Sequence, residues 1–246
     1  NKHMGTPTLH LCLANRLFRL FGQRIRADGN SGLHSTAEKT PFFTARGLNH
    51  GLLNTDCNRL HCAMQTDIVI EQTRQWIENV VVGLNFCPFA KRELRRDAVR
   101  FTVNGSGEMG DALQQLIDEC GFLDANPDTE TTLLILPEGY ADFLDYLDLA
   151  GLAEDLLAEQ GYEGVYQVAS FHPDYCFADA EPDDAANYTN RSPYPMLHLL
   201  REASLDSAID NYPDIDSIPD NNMKKARALG VDFFRDLANK AWIPAE

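Results

Sequence analysis

The chain has 246 residues, with 21 Lys and Arg against 37 Asp and Glu, and a formal net charge of −16 at pH 7. This length suits one large domain or two small ones. Such an acidic chain repels nucleic-acid phosphates, and no stripe of Lys and Arg with interleaved aromatic residues is present, so we do not expect nucleic acid as a partner.

The basic residues are concentrated near the beginning of the chain. Residues 1–66 carry 8 Lys and Arg against 3 Asp and Glu, whereas residues 67–246 carry 13 against 34. The first segment shows neither helical periodicity nor strand alternation. We therefore expect residues 1–63 to be a disordered or spurious extension, with a targeting leader as the alternative, and residues 64–246 to form a single α/β domain.

The cysteines and the apolar stretches indicate the compartment. The acidic part holds Cys87, Cys120 and Cys176, an odd number without a CxxC pair, which is typical of free thiols in a reducing compartment. The apolar stretch from Leu9 to Phe21 is too short and too charged to span a bilayer. We expect a cytoplasmic protein with no membrane partner.

The first patterned element of the domain is an amphipathic helix over residues 67–84. Its apolar residues recur at helical spacing on one face; they are Ile70, Ile77, Val81 and Leu84. Thr66 or Asp67 is the expected N-cap. Asn85 ends the helix, and Pro88 is expected at the first position of a short second helix.

Four later segments are expected to be strands. The unbroken apolar run from Thr131 to Pro137 predicts a strand that is covered on both faces. The segment from Pro195 to Arg201 fits either a strand or the start of a helix. The four strands are expected near residues 98–103, 131–136, 165–171 and 195–201.

Helices alternate with these strands. Gly121 is expected to end the helix that follows the first strand, and Gly161 to end a helix over residues 139–160. Two more helices are expected over residues 220–229 and 231–240. The alternation predicts an α/β layered domain, with a mixed sheet of about four strands and helices packed on it, for which ferredoxin-like and thioredoxin-like topologies both fit.

Three segments carry a resemblance to a known family. They are Asn85-Phe86-Cys87-Pro88-Phe89-Ala90-Lys91, Ser170-Phe171-His172-Pro173, and the run from Asn190 to Glu202. In this order they resemble the signature segments of a bacterial family catalogued as domain of unknown function 1415, over roughly residues 66–245. The resemblance implies a bacterial origin and a stand-alone domain without residues 1–63. It implies no catalytic residues, so function is argued from the side chains.

Cys87 is the first candidate for a reactive residue. It precedes Pro88, so we expect it at the N-cap of the short helix, where free amides and the helix dipole favour a thiolate. Lys91, one turn later, would strengthen that effect. His172 or His198 could accept the proton if the fold brings either within reach. The alternative is that Cys87 is a small buried hydrophobic residue.

A second cluster combines basic and polar side chains. Asn190, Arg191 and Ser192 precede Arg201, and guanidinium groups bind carboxylates and phosphates through two parallel hydrogen bonds. His198 and Arg201 face the same side if their segment is a helix, and opposite faces if it is a strand. The cluster predicts a site for a small anionic molecule; the alternative is that both arginines form ordinary ion pairs with nearby carboxylates.

A metal site is the third pattern that we considered. His172, Asp174 and Cys176 alternate after a strand, and His198 could supply a fourth ligand. The spacing matches no recognised metal site, so we predict none.

Together these candidates favour a cytoplasmic enzyme that acts on a small anionic metabolite in a pocket containing Cys, His and Arg. The alternatives are a non-catalytic module that binds a metabolite or a protein, and a thiol redox sensor. No cofactor is indicated. The expected catalytic residues are Cys87, His172 and His198, and the expected substrate-binding residues are Lys91, Asn190, Arg191, Ser192 and Arg201.

Overall fold

A computed structural model describes the backbone of residues 53–211 and 217–241, and the side chains of residues 64–205, 207 and 217–239. Most of the predicted extension, residues 1–63, lies outside the described residues. Its last part belongs to helix α1, Leu53–Trp76.

Helix α1 begins earlier than the sequence pattern indicates. Thr66 and Asp67 lie inside it, so the predicted N-cap there is wrong. Neither Gly nor Pro occurs between residues 52 and 82, so no residue there interrupts a helix. Thr66 and Asp67 are able to cap a helix but can also lie within one. The helix continues as a π-helix over Ile77–Val82. Asn85 then adopts a left-handed conformation with φ 52°, as expected for a terminator.

Four strands form one mixed sheet within the described part of the chain. They are β1 (Val99–Val103), β2 (Thr131–Ile135), β3 (Tyr166–Phe171) and β4 (Met196–Arg201). The strand order is β1-β2-β4-β3; β1 and β2 are parallel, and β4 is antiparallel to both β2 and β3. The predicted layered domain with a mixed sheet of four strands is confirmed, and each strand lies within a residue of its predicted position.

The strand connections differ from both specific topologies that the sequence left open. A ferredoxin-like fold follows the order β-α-β-β-α-β, whereas this chain follows β-α-β-α-β-β. A thioredoxin-like sheet has the first and third of these strands at its centre, whereas here β2 and β4 are central and β1 and β3 are the edges. The last strand, β4, lies between β2 and β3 and is antiparallel to both, so neither of the two topologies describes this sheet.

The remaining helices cover the sheet. They are α2 (Ala90–Arg95), α3 (Met109–Ala125), α4 (Phe143–Glu159), α5 (Glu202–Asn211), α6 (Ile218–Leu229) and α7 (Val231–Ala241), with a 3₁₀ turn at Ala185–Thr189. Gly121 does not end α3, because the apolar repeat continues to the buried Leu123 beyond it. The predicted place of Pro88 at the first position of the second helix is wrong, because α2 begins two residues later, at Ala90. Gly161, with φ 81°, follows the end of α4 as predicted.

The two faces of the sheet are covered by different helices. On one face, which we call the closed face, α3 and α4 pack on alternate strand residues that include Leu134 and Leu197. On the other, the open face, α1, α6 and α7 pack on Leu133, Ile135 and Met196. Because successive strand residues point to opposite faces, neighbouring residues of β2 belong to different cores.

Candidate functional site

A cavity of about 750 Å³ lies on the open face. The π-helical end of α1, the segment from Phe86 to Leu94, and the first turns of α5 and α6 form its walls. The sheet forms its floor, with Leu133, Ala169, Phe171, His198 and Leu200. Four polar residues that the sequence singled out also line the cavity, namely Cys87, Asn190, His198 and Arg201.

The π-helix brings Cys87 to the wall of the cavity. The carbonyl of Val81 accepts hydrogen bonds from the amides of Phe86 (2.8 Å) and Cys87 (3.4 Å), so the chain folds back against the helix end. Gly83 permits this turn, because a Cβ there would collide with the carbonyl of Asn79. π-helical turns are rare and frequently occur at functional sites.

Helix α6 holds the same turn from the other side. The Asn222 amide donates to the carbonyl of Phe86 at 2.6 Å, and the Lys225 ammonium donates to the carbonyl of Leu84 at 2.7 Å. Both groups satisfy carbonyls that the π-helical end leaves without helical partners. The position of Cys87 is therefore fixed by contacts between segments far apart in the chain.

The Cys87 thiol is protonated at neutral pH. Burial raises its pKa above the ordinary value, and hydrogen bonds from the amides of Phe89 and Ala90 oppose that shift. The predicted N-cap position of Cys87 is wrong, because α2 begins at Ala90 and its N-cap is Phe89. The expected thiolate is not observed either, because desolvation outweighs the hydrogen bonds from the two amides. Lys91 is exposed and does not line the cavity.

His198 stands in the middle of the cavity floor. It pairs across the sheet with Leu133 on one side and Ala169 on the other. Its Nε2 lies 2.7 Å from the Thr131 hydroxyl, and that hydroxyl donates to the carbonyl of Leu199 at 2.5 Å. Burial lowers the pKa of His198 to about 4, so the ring is neutral at physiological pH.

His172 is bound entirely by backbone groups and is outside the cavity. Its Nε2 donates to the carbonyl of Tyr140 at 2.9 Å, and its Nδ1 accepts from the amide of Asp174 at 3.0 Å. The ring is fully buried between Phe143 and Tyr146. Burial also lowers its pKa. Both nitrogens are therefore occupied in holding the loop that follows β3.

Arg201 closes the loop between α3 and β2. Its guanidinium donates to the carbonyls of Leu123 (2.6 Å), Asn126 (3.3 Å) and Thr129 (3.1 Å). A cation at the end of a helix satisfies carbonyls that have no helical partner. Because its segment is a strand, Arg201 and His198 lie on opposite faces, so the two do not act as a pair on one ligand.

Arg191 braces the long loop between β3 and β4. It donates to the carbonyls of Tyr175 (3.0 Å) and Pro182 (2.8 Å), and its guanidinium lies 4.8 Å from the Tyr188 ring centroid. Ser192 is fully buried and donates to the carbonyl of Tyr194 at 2.6 Å. Neither residue lines the cavity. Both arginines therefore bind backbone carbonyls rather than the carboxylates considered from the sequence.

Asn190 joins two of the signature segments. Its carbonyl accepts from the amide of His172 at 3.3 Å, and its side-chain amide donates to the carbonyl of Ser170 at 3.4 Å. The segments around His172 and Asn190 thus meet, as the hypothesis of a shared site requires. Asn190 lines the cavity, whereas His172 does not.

The metal hypothesis receives no support from the described side chains. Among them, no group of three or more His, Cys, Asp or Glu residues could hold a metal ion. Cys176 instead lies 3.5 Å from the carbonyl of Ala180 and 3.8 Å from the Asn187 amide.

Sequence reasoning missed several residues that shape the cavity. Trp76 lines it, and its indole N–H is buried without an acceptor among the described residues. Thr131 and Ala169 form part of the floor. Only Thr131 carried a signal, since it is a hydroxyl residue at the start of the most apolar strand.

The comparisons with known proteins agree with the resemblance carried by the three segments. The family model described as Protein of unknown function (DUF1415) matches residues 68–236. The chain belongs to this family. The matched region begins inside α1 and ends inside α7, so it contains the whole sheet and both sides of the cavity.

Two further comparisons found nothing similar. Neither the curated proteins nor the solved structures contain a match to this chain. Among the helices that the structure describes, none has the length and apolar character needed to cross a bilayer.

Proposed function

We propose that this member of the DUF1415 family binds a small, largely apolar molecule in the cavity on the open face. The observation that carries the proposal is the cavity itself, at about 750 Å³. Ligand pockets in proteins span about 300–1,000 Å³ and combine apolar walls with a few polar groups. Cys87 and His198 are such polar groups, placed among Leu133, Ala169 and Phe171.

The contrast with the closed face supports this proposal. Protein interiors are normally close-packed, and on the closed face Leu134, Leu197 and Tyr146 are fully buried under α3 and α4. An apolar space of this size on the opposite face leaves many side-chain atoms without packing partners. A ligand that fills the space would supply those contacts.

A neutral fluorescent probe tests the proposal. N-phenyl-1-naphthylamine gains fluorescence in apolar surroundings, and we expect saturable binding to the full chain. Ala169→Leu would place extra volume on the cavity floor and lower the affinity by at least about tenfold, which is about 1.4 kcal/mol. Ala158→Leu is the matched control, because Ala158 is exposed on α4 and outside the cavity.

The possible results separate clearly. Saturable binding that Ala169→Leu weakens and Ala158→Leu preserves supports the proposal. Absence of binding, or equal binding by all three proteins when thermal unfolding shows each of them folded, contradicts it.

A second candidate is an enzyme that uses Cys87 and His198, the class of function expected from the sequence. The supporting observation is that both side chains line the same cavity. Because the thiol is protonated, attack on an electrophilic carbon requires that a base remove its proton as the substrate binds. His198, neutral at physiological pH, is the candidate base. Substrate turnover that is lost in both Cys87→Ser and His198→Leu would favour this candidate over binding alone.

We further propose that the protein works in a reducing compartment, as a cytoplasmic location would provide. Cys87, Cys120 and Cys176 are all free thiols, and free thiols persist where cellular reductants keep them reduced. Mass spectrometry of the protein, isolated from cells in the presence of an alkylating agent, would show these cysteines alkylated. Recovery of any of them in a disulfide would contradict the proposal.

A further inference from the structure

The hydrogen-bond geometry at His198 fixes which of its nitrogens is available to a ligand. The Thr131 hydroxyl has one proton, and its oxygen lies 2.5 Å from the carbonyl of Leu199, which can only accept. The same hydroxyl lies 2.7 Å from His198 Nε2 and must therefore accept there. In the neutral ring, the proton is on Nε2 and the lone pair is on Nδ1.

Nδ1 of His198 is consequently an unused acceptor in the cavity floor. It has no hydrogen-bond partner among the described residues. His198 is only partly buried, and its Nδ1 is not among the buried polar atoms without a partner, so water reaches it in the free protein. A ligand O–H or N–H would replace that water, whereas a ligand without a donor would leave the acceptor unpaired.

Trp76 does not supply a second polar group to the ligand. It is 2% exposed and lines the cavity, but its indole N–H is itself buried, without an acceptor among the described residues. The N–H therefore has no surface through which a molecule in the cavity could reach it. The acceptor at His198 Nδ1 carries the polar recognition in this account.

The charges around the cavity favour an uncharged ligand. Two arginines line it, but Arg92 lies 2.8 Å from the Glu93 carboxylate and Arg201 donates to backbone carbonyls. Two carboxylates, Glu93 and Glu130, also line it. An anion entering an apolar cavity loses its hydration and needs a cation or several donors in return. Within the described side chains of this cavity, no cation remains without partners.

We propose that the ligand of this cavity is an uncharged, mainly apolar molecule with a hydroxyl or amide group that donates to His198 Nδ1. This inference rests on the proposed function, since it specifies the chemistry of the molecule that the same cavity binds. Thr131 is a positioning residue in this account, because its hydroxyl selects the tautomer of His198.

Three naphthalene derivatives test the inference on the full chain. 2-Naphthol carries an uncharged hydroxyl, 2-methoxynaphthalene keeps the oxygen but cannot donate, and 2-naphthoate is an anion. Quenching of tryptophan fluorescence or calorimetry measures their affinities. We expect 2-naphthol to bind at least about tenfold more tightly than the other two, because only it satisfies Nδ1 without bringing a charge into the cavity.

Two variants connect that preference to the proposed geometry. His198→Leu should remove the preference for 2-naphthol over 2-methoxynaphthalene and still bind both. Thr131→Val should reduce the preference as well, because Nε2 then has no acceptor and the proton can move to Nδ1. Thermal unfolding in the absence of ligand checks that each variant is folded.

Each result has one interpretation. Tight binding of 2-naphthol that depends on His198 supports the inference. Equal binding of the two neutral compounds overturns it and leaves the proposed function intact. Preferred binding of 2-naphthoate overturns it in favour of the anionic ligand predicted from the sequence. If none of the three binds and the neutral probe also fails, the proposed function fails with it.

Discussion

The two faces of the sheet are built from the same strands but have different contents. Residues 133 and 134 are neighbours in β2, yet Leu134 is enclosed by α3 and α4, whereas Leu133 forms part of the floor of a cavity. The closed face is filled by side chains and stabilises the fold. The described side chains fill the open face only in part, and we propose that a ligand occupies the space left there.

The two strand-associated histidines follow the same division. His172 has both ring nitrogens bound to backbone groups and does not line the cavity. His198 uses Nε2 alone and lines the cavity. Burial lowers the pKa of both, so a lowered pKa does not by itself distinguish a structural histidine from a functional one. The two histidines are distinguished instead by how many of their ring nitrogens are hydrogen-bonded within the described part of the chain.

The largest effect that we expect comes from the neighbouring leucines of β2. Leu134→Ala should lower the free energy of unfolding by about 4 kcal/mol, because it opens a hole in a filled core. Leu133→Ala should cost at least about 1 kcal/mol less, since its side chain already borders empty space. Urea denaturation measures both values. Equal costs would mean that the two faces are packed alike.

The histidines should show the same contrast in stability. His172→Leu leaves the Tyr140 carbonyl and the Asp174 amide without partners, at a cost of about 3 kcal/mol. His198→Leu leaves the Thr131 hydroxyl bound to Leu199 and should cost about 1 kcal/mol or less. Thermal or urea unfolding at pH 7 would reveal the difference. A larger loss for His198→Leu would contradict these assignments.

A further effect is expected from pH. The pKa of His198 is about 4 in the folded chain and 6.5 in the reference state, so the unfolded chain binds the proton first. Its contribution is complete above pH 6.5 and is lost as the pH falls toward 4, by at most about 1.4 kcal/mol per unit. Stability curves of the wild type and His198→Leu should therefore converge or cross in this range. A constant difference from pH 7 to pH 4 would show that the pKa of His198 is not lowered.

The least perturbing experiment concerns Cys87. Because burial raises its pKa, alkylation should be slow at pH 7 and still increasing above pH 9, as followed by peptide mass spectrometry. A cavity ligand should slow it further. Rapid alkylation with a midpoint below about 8.5 would restore the thiolate that the sequence predicted.

The sequence pattern predicted the positions of the strands in this fold well, but it predicted the contacts of the polar side chains poorly. Strands β1 to β4 were located within a residue, because apolar runs and alternation are local properties. The beginning of α1 and the passage of α3 through Gly121 were missed, since capping residues and glycines permit a boundary without requiring one. His198 and Arg201 share a face only if their segment is a helix. The sequence of that segment fits both a strand and a helix, so it could not decide the question.

The roles of the polar residues could not be predicted, because they depend on distant parts of the chain. Arg201 binds the carbonyl of Leu123, which is 78 residues away, and His172 binds the carbonyl of Tyr140, 32 residues away. These contacts use the groups that made both residues candidates for a site. The cavity lies between several helices and strands, so its position depends on how they pack and could not be predicted from a local residue pattern. Of the predicted site residues, the structure places Cys87, Asn190, His198 and Arg201 around it.

A crystal structure of the full chain with 6-bromo-2-naphthol would test the central claim most directly, because bromine is located by its anomalous scattering. We predict a bromine peak inside the cavity on the open face, with the hydroxyl oxygen within hydrogen-bonding distance of His198 Nδ1. A well-ordered cavity without bromine, with the compound bound only elsewhere on the molecule, would contradict the assignment of this cavity as a ligand site.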